Sequence, residues 1–195
     1  MKDIFSSIVS FVKEQFPNQD FIPLHAPVFK GNEKAYVADT IDSTFVSSVG
    51  AYVNRFEEMM CDITGAKYCI AIVNGTNALH IALLLADVGA EDEVLSQSLT
   101  FIATCNAISY IGAKPVFVDV DRDTLGMSPK AMEDFLDIYG EIRADGFTYN
   151  KKSNLRIKAC VPMHTFGFPC RIEEIAEICK KWNIALVEDA AESLG

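Results

Sequence analysis

Tyr68-Cys69-Ile70-Ala71-Ile72-Val73-Asn74-Gly75-Thr76-Asn77-Ala78-Leu79 is where the pattern of the chain changes. An unbroken apolar run such as Tyr68 to Val73 marks a strand buried on both faces. Asn74-Gly75 breaks the run, and residues 76–86 then place Leu79, Ile81, Leu83 and Leu84 inside a helix. The same alternation continues downstream. Strands are expected at Glu93-Val94-Leu95-Ser96, at Pro115-Val116-Phe117-Val118-Asp119, at 157–161 and at Ile184-Ala185-Leu186-Val187-Glu188. Helices are expected between them at about 101–111, from Ser128-Pro129 onward, and at 172–182; Ser128 suits the N-cap and Pro129 the first helical position. Repeated strand–helix units with uniformly apolar strands mean an α/β fold, a mostly parallel sheet covered by helices. Residues 139–156 interrupt the rhythm with Asp145-Gly146 and Asn150-Lys151-Lys152-Ser153-Asn154, a polar loop or hairpin inserted before the fourth strand.

Upstream the signals are helical. Residues 3–16 carry apolar residues at helical spacing up to Pro17-Asn18, and prolines make Phe21-Ile22-Pro23-Leu24-His25-Ala26-Pro27 extended. Helices follow at 32–43 and 52–64, the second with Phe56, Met59, Met60 and Ile63 on one side. The expected division is an N-terminal helix and extended arm over 1–30, then part of a larger domain over 31–195. The last strand ends only a few residues before Gly195, where a sheet normally continues, so the chain reads as a fragment.

A net charge of −10 argues against a nucleic-acid partner, because phosphate backbones are held by clustered Lys and Arg. It is compatible with a small anionic ligand bound by backbone donors. The start Met1-Lys2-Asp3-Ile4-Phe5 lacks the layout of a signal peptide, and no apolar run reaches membrane-spanning length, so a cytoplasmic protein without a membrane partner is expected. None of Cys61, Cys69, Cys105, Cys160, Cys170 and Cys179 forms a C-x-x-C pair, and reduced core thiols are expected rather than a metal site.

Few residues suit chemistry. Asn74-Gly75-Thr76-Asn77 opens a helix whose first N–H groups lack internal partners, a seat for a phosphate; a plain capped turn explains it equally well. There is no G-x-G-x-x-G and no Walker lysine. Asp189 ends a strand at the edge where ligands of open α/β sheets collect. A carboxylate there can pair with a cationic ring nitrogen, bind magnesium or cap the following turn. Phe101 follows the second strand at the same edge, placed to stack on a flat ligand or to join the core. His164 ends the fourth strand and His80 lies inside a helix, both with structural roles expected; His25 has no assignable chemistry. Asp119-Val120-Asp121-Arg122-Asp123 lacks the remaining ligands of a calcium loop and reads as a solvated turn.

Six stretches in order carry a resemblance: Phe21-Ile22-Pro23-Leu24, Tyr68 to Leu84, Ser98-Leu99-Thr100-Phe101-Ile102-Ala103-Thr104, Gly112 to Val120, Val161-Pro162-Met163-His164, and Glu188-Asp189-Ala190-Ala191-Glu192. Together they resemble the DegT/DnrJ/StrS family of sugar aminotransferases dependent on pyridoxal 5'-phosphate. The inserted Thr148-Tyr149-Asn150-Lys151-Lys152 loop resembles the LegC-like branch, which serves nonulosonic sugars.

The resemblance implies an incomplete three-layer large domain of the aspartate aminotransferase-like fold (fold type I). It implies that Gly75 and Thr76 hold the cofactor phosphate, Phe101 stacks on the pyridine ring and Asp189 pairs with the ring nitrogen. Glu192 occupies a position near the ring hydroxyl that is usually Gln or His. A carboxylate there would repel a phenolate unless protonated or turned away. The Schiff-base lysine is expected beyond Gly195, and Lys67, Lys114, Lys180 and Lys181 are not candidates. The activity implied is transfer of an amino group, from glutamate as the expected donor, to a nucleotide-linked keto sugar of the UDP-4-keto-6-deoxy-HexNAc type. A homodimer is implied as well. The alternatives are a dehydratase of the same family, with His in place of the lysine, and a non-catalytic fragment or regulator.

Overall fold

The computed structural model describes residues 2–23 and 26–194; Leu24 and His25 of the extended arm lie outside them. The chain divides into two compact units, 1–55 and 56–195.

The first unit contains α1 (Lys2–Gln15), α2 (Glu33–Asp42) and the start of α3 (Ala51–Thr64). The helices fall where the spacing places them, but they enclose little. Phe5 and Phe11 of α1 are more than half exposed and α2 buries no residue. Polar and ring contacts organise this unit instead: the Tyr52 hydroxyl donates to Asp39 at 2.9 Å, and the Tyr36 and Tyr52 rings lie 5.2 Å apart.

In the second unit α4 (Gly75–Leu85), β1 (Asp92–Gln97), α5 (Ile102–Tyr110), β2 (Lys114–Val118), α6 (Pro129–Tyr139), β3 (Gly140–Ile142), β4 (Thr148–Asn150), β5 (Arg156–Cys160), α7 (Ile172–Lys181) and β6 (Ala185–Leu186) follow in order. The sheet runs β2-β1-β5-β4-β3, with β6 also paired to β5. The β1–β2, β1–β5 and β5–β6 pairs are parallel, and the inserted segment supplies the antiparallel hairpin β3–β4. Pro115, which cannot donate to a ladder, sits on the edge strand β2.

Each face of the sheet has its own core, which makes three layers. Leu95, Val118, Ile157 and Cys160 pack with Met132 and Leu136 of α6 and Ile175 and Cys179 of α7. Val94, Ala159 and Val161 pack with Leu79 and Leu83 of α4 and Ala107 and Ile108 of α5. Ile157 and Ala159 serve opposite faces although strand side chains alternate with a period of two. The irregularity in β1–β5 pairing explains it: Ile157 pairs with Glu93 and Ala159 with Val94, so Lys158 is passed over.

One expected strand is missing. Residues 68–73 form no regular element and have no paired strand among the described residues, and Tyr68, Ile70 and Val73 are 73–83% exposed. No described strand lies alongside to take up the ladder. The Ala71 N–H is satisfied instead by the Glu57 carboxylate, at 2.8 Å. The six cysteines are free thiols, with Cys160, Cys170 and Cys179 buried.

Candidate functional site

Topology decides which residues share an edge. Strands β1, β2, β5 and β6 are parallel, and α5, α6 and α7 each carry the chain back from one strand's end to the next strand's start. The C-terminus of α4 leads to Asp92 at the start of β1, where the Asp92 carboxylate accepts from the Gly89 N–H at 2.8 Å. Eleven helical residues span about 16 Å. The α4 N-terminus therefore lies toward the opposite edge, where β1 delivers Phe101, β5 delivers His164 and β6 delivers Asp189.

At the start of α4, Asn74 is the N-cap and its side chain accepts from the Asn77 N–H at 2.9 Å. The Ala78 N–H donates to the Asn74 carbonyl. Among the described residues that leaves the Gly75 and Thr76 N–H groups and the Thr76 hydroxyl without a protein partner. A Cβ added at Gly75 would meet nothing within 4 Å, so the space before this helix is open. Donors, dipole and access together suit a phosphate.

Phe101 holds the N-cap position of α5 in extended backbone and is 63% exposed, standing off the edge rather than joining the core. Asp189 is buried. Its chain runs beside β5 past the short β6, with the Asp189 N–H donating to Pro162 O at 2.9 Å and the His164 N–H donating to Asp189 O at 3.2 Å. The carboxylate is held on both oxygens: Oδ2 accepts from the Thr104 hydroxyl at 2.6 Å, and Oδ1 from the Ala191 N–H at 3.3 Å. The Asp189 side chain thus caps the following turn and presents a buried charge at the ligand edge at once.

Glu192 is turned away. Its carboxylate accepts from the Phe166 N–H at 2.7 Å, which fastens it to the turn after β5. His164 is buried and structural. Its Nδ1 accepts from the Cys170 N–H at 2.9 Å, so the neutral ring carries its proton on Nε2, facing Glu188 Oε2 at 3.2 Å. Burial pushes the neighbouring Cys170 thiol up. His80 packs edge-on against Tyr110 in the α4–α5 layer.

Two further residues with a part in this edge are assigned no role by the sequence. Gln97 is fully buried at the end of β1, and its amide exchanges two hydrogen bonds with the Met163 backbone, Nε2 to O at 2.7 Å and N to Oε1 at 3.2 Å. It extends the β1–β5 ladder by one side-chain rung. Thr104 is the other. A buried Gln closing an apolar strand is itself a signal, because such a group must find partners; nothing local marks Thr104.

Lys114 and Lys181 lie away from this edge. Lys114 opens β2 and pairs with Glu91, and Lys181 near the end of α7 pairs with Glu133, both at the opposite edge. In the acidic turn Arg171 pairs with Asp121 at 3.2 Å and with Asp123 at 2.5 Å; Asp121 is partly buried and Asp123 exposed.

A doubly covered, mostly parallel sheet with an open helix N-terminus, an exposed aromatic and a buried carboxylate toward one edge is the layout of a cofactor-binding α/β enzyme domain. Residues 27–195 match the DegT/DnrJ/EryC1/StrS aminotransferase family, and the chain belongs to it. The cofactor of that family is pyridoxal 5'-phosphate. The chain is similar to the GDP-perosamine synthase of Escherichia coli O157:H7, with 38% identity over 175 residues, 90% of this chain and 43% of the relative. It is similar in structure to an aminotransferase from Psychrobacter cryohalolentis, with a TM-score of 0.73 and 32% identity, covering 89% of this chain and 40% of the other. A GDP-4-keto-6-deoxymannose-3-dehydratase shares the fold, with a TM-score of 0.70 at 22% identity, covering 90% of this chain and 42% of the other. The chain spans about two fifths of the length of these proteins.

Proposed function

We propose that this chain forms the cofactor-holding part of a pyridoxal-phosphate aminotransferase. The substrate is a nucleotide-linked 4-keto-6-deoxy sugar, and an amino acid, glutamate, donates the amino group. The observation that carries the reading is the buried Asp189 carboxylate, held by Thr104 and Ala191 at the edge shared with the open α4 N-terminus and the exposed Phe101. The residues fit the cofactor: a dianionic phosphate matches the N–H groups of Gly75 and Thr76, an aromatic ring matches the face of Phe101, and a ring N–H matches Asp189.

When bound, the cofactor supplies an electron sink for the charge that develops at the carbon bearing the amino group. Asp189 keeps a proton on the ring nitrogen by offering a fixed anion, Phe101 fixes the ring plane, and the α4 N-terminus anchors the phosphate end. Glu192, fastened to Phe166, keeps its charge off the ring hydroxyl. The proton-carrying lysine belongs to the part of the protein outside this chain. The name of the GDP-perosamine synthase relative supports the nucleotide-sugar class. The resemblance of Thr148-Tyr149-Asn150-Lys151-Lys152, which is β4 and the turn after it, to the LegC-like branch favours a UDP-linked N-acetylhexosamine. The protein acts in the cytoplasm as a homodimer, with residues 31–195 contributing to the large domain.

Incubating the intact protein with pyridoxal 5'-phosphate should give an absorption band near the visible edge that borohydride fixes covalently. Glutamate and the keto sugar should then yield 2-oxoglutarate and an amino sugar. A protein that binds no cofactor would defeat the proposal.

A further inference from the structure

A threonine inside a helix ordinarily spends its hydroxyl on the carbonyl four residues back. Thr104, in the first turn of α5, does not. Its hydroxyl crosses to a residue 85 positions away and meets Asp189 Oδ2 at 2.6 Å, in the short range of a hydroxyl donating to an anion. Thr104 is 1% exposed and Asp189 5% exposed, so water does not replace this bond. The Thr100 hydroxyl in turn lies 3.1 Å from Thr104 Oγ1. A hydroxyl has one proton to give, and the carboxylate is the strongest acceptor in reach. The chain therefore runs Thr100 to Thr104 to Asp189, each donor polarising the next.

This deepens the proposed function and rests on it: we infer that Thr104 is a positioning residue that fixes the Asp189 carboxylate for the cofactor ring nitrogen, with Thr100 supporting it. A carboxylate free to rotate about its terminal bond offers its lone pairs in any direction. Here Thr104 holds one oxygen and the Ala191 N–H the other, so the plane is set and only the remaining lone pairs face the edge. The first turn of α5 also places its N-terminal dipole beside the negative charge. Without the hydroxyl, the anion would lose a buried donor and its fixed plane together. A hydroxyl serving only to satisfy a buried oxygen would affect stability and leave the bound ring unchanged.

The test uses the intact protein and pyridoxamine 5'-phosphate labelled with nitrogen-15 in the ring, a probe whose amine makes it independent of any anchoring lysine. The wild type should show a protonated ring nitrogen by NMR. Thr104→Val keeps the shape and removes the donor. It should move the resonance toward neutral pyridine and weaken probe binding about tenfold. Thr104→Ser, which restores the hydroxyl, should stay within about twofold of wild type in affinity and keep the resonance. A Thr104→Val resonance and affinity equal to wild type, or a Thr104→Ser as impaired as Thr104→Val, would overturn the inference. Should Thr104→Val fail to fold, Thr100→Val carries the test with a smaller shift in the same direction, and an unmoved resonance there overturns it. A wild type that binds no probe instead refutes the proposed function, a distinguishable result that takes the inference with it.

Discussion

Gly167 holds φ at 80°, and a Cβ added there would lie 2.9 Å from the Glu192 backbone oxygen. Both facts penalise a side chain: left-handed backbone disfavours one, and the carbonyl has nowhere to move while the Glu192 carboxylate is fastened to Phe166. Gly167→Ala should lower stability by about 1–3 kcal/mol, read as a lower urea midpoint at unchanged slope. A midpoint equal to wild type would show that the turn after β5 is not tied to the Glu-Asp-Ala-Ala-Glu segment. Legibility at this scale was uneven. Gly75, Thr76, Phe101 and Asp189 lie at strand and helix ends, where a linear pattern points to them. The contact of Thr104 is not legible in this way, because its partner is 85 positions away and no local spacing encodes it. The direction of the Glu192 side chain depends on a backbone N–H at Phe166, which a sequence does not display.

Helices were the legible elements, since their signals are local. Ser128 caps α6 by accepting from the Ala131 N–H, and Pro129 sits in its first turn, as the residue types require. Strands depend on neighbours, and residues 68–73 show the difference: an apolar run describes a buried strand only when something is there to bury it. Stability of the 195-residue chain should follow burial rather than hydrophobicity. Val73→Thr and Ile70→Thr, at residues 83% and 73% exposed, should each change it by less than about 0.5 kcal/mol. Leu95→Ala or Ile157→Ala, at residues 0–1% exposed, should each cost about 2–5 kcal/mol. A large loss at Val73 in chemical denaturation would mean that the segment pairs in solution after all.

For the whole molecule, the α/β class and both covered faces follow from the strand–helix alternation. The order of strands, the bulge at Lys158 and the rung built by Gln97 do not, because they are set by packing between distant segments. Charge acts at this scale too. Three exposed carboxylates are held below the usual range: Asp87 by Lys158, Asp123 by Arg171, and Asp145 by the Phe147 N–H and the Tyr149 hydroxyl. A depressed folded-state value means that the unfolded chain takes up protons first as pH falls. Their contribution is therefore complete above about pH 4, the ordinary aspartate value, and is lost as pH drops through the lower folded values. The net charge of −10 works the other way near neutrality, since mild acidification relieves self-repulsion. Stability should therefore rise slightly from pH 7 toward 5 and fall steeply below about 4. The wild type's advantage over Asp87→Asn and Asp145→Asn should be full at pH 6 and shrink at pH 2 to 3, in urea titrations at each pH. An advantage that persists undiminished at pH 2 would show that shape at those positions, and not their ionisation, stabilises the fold.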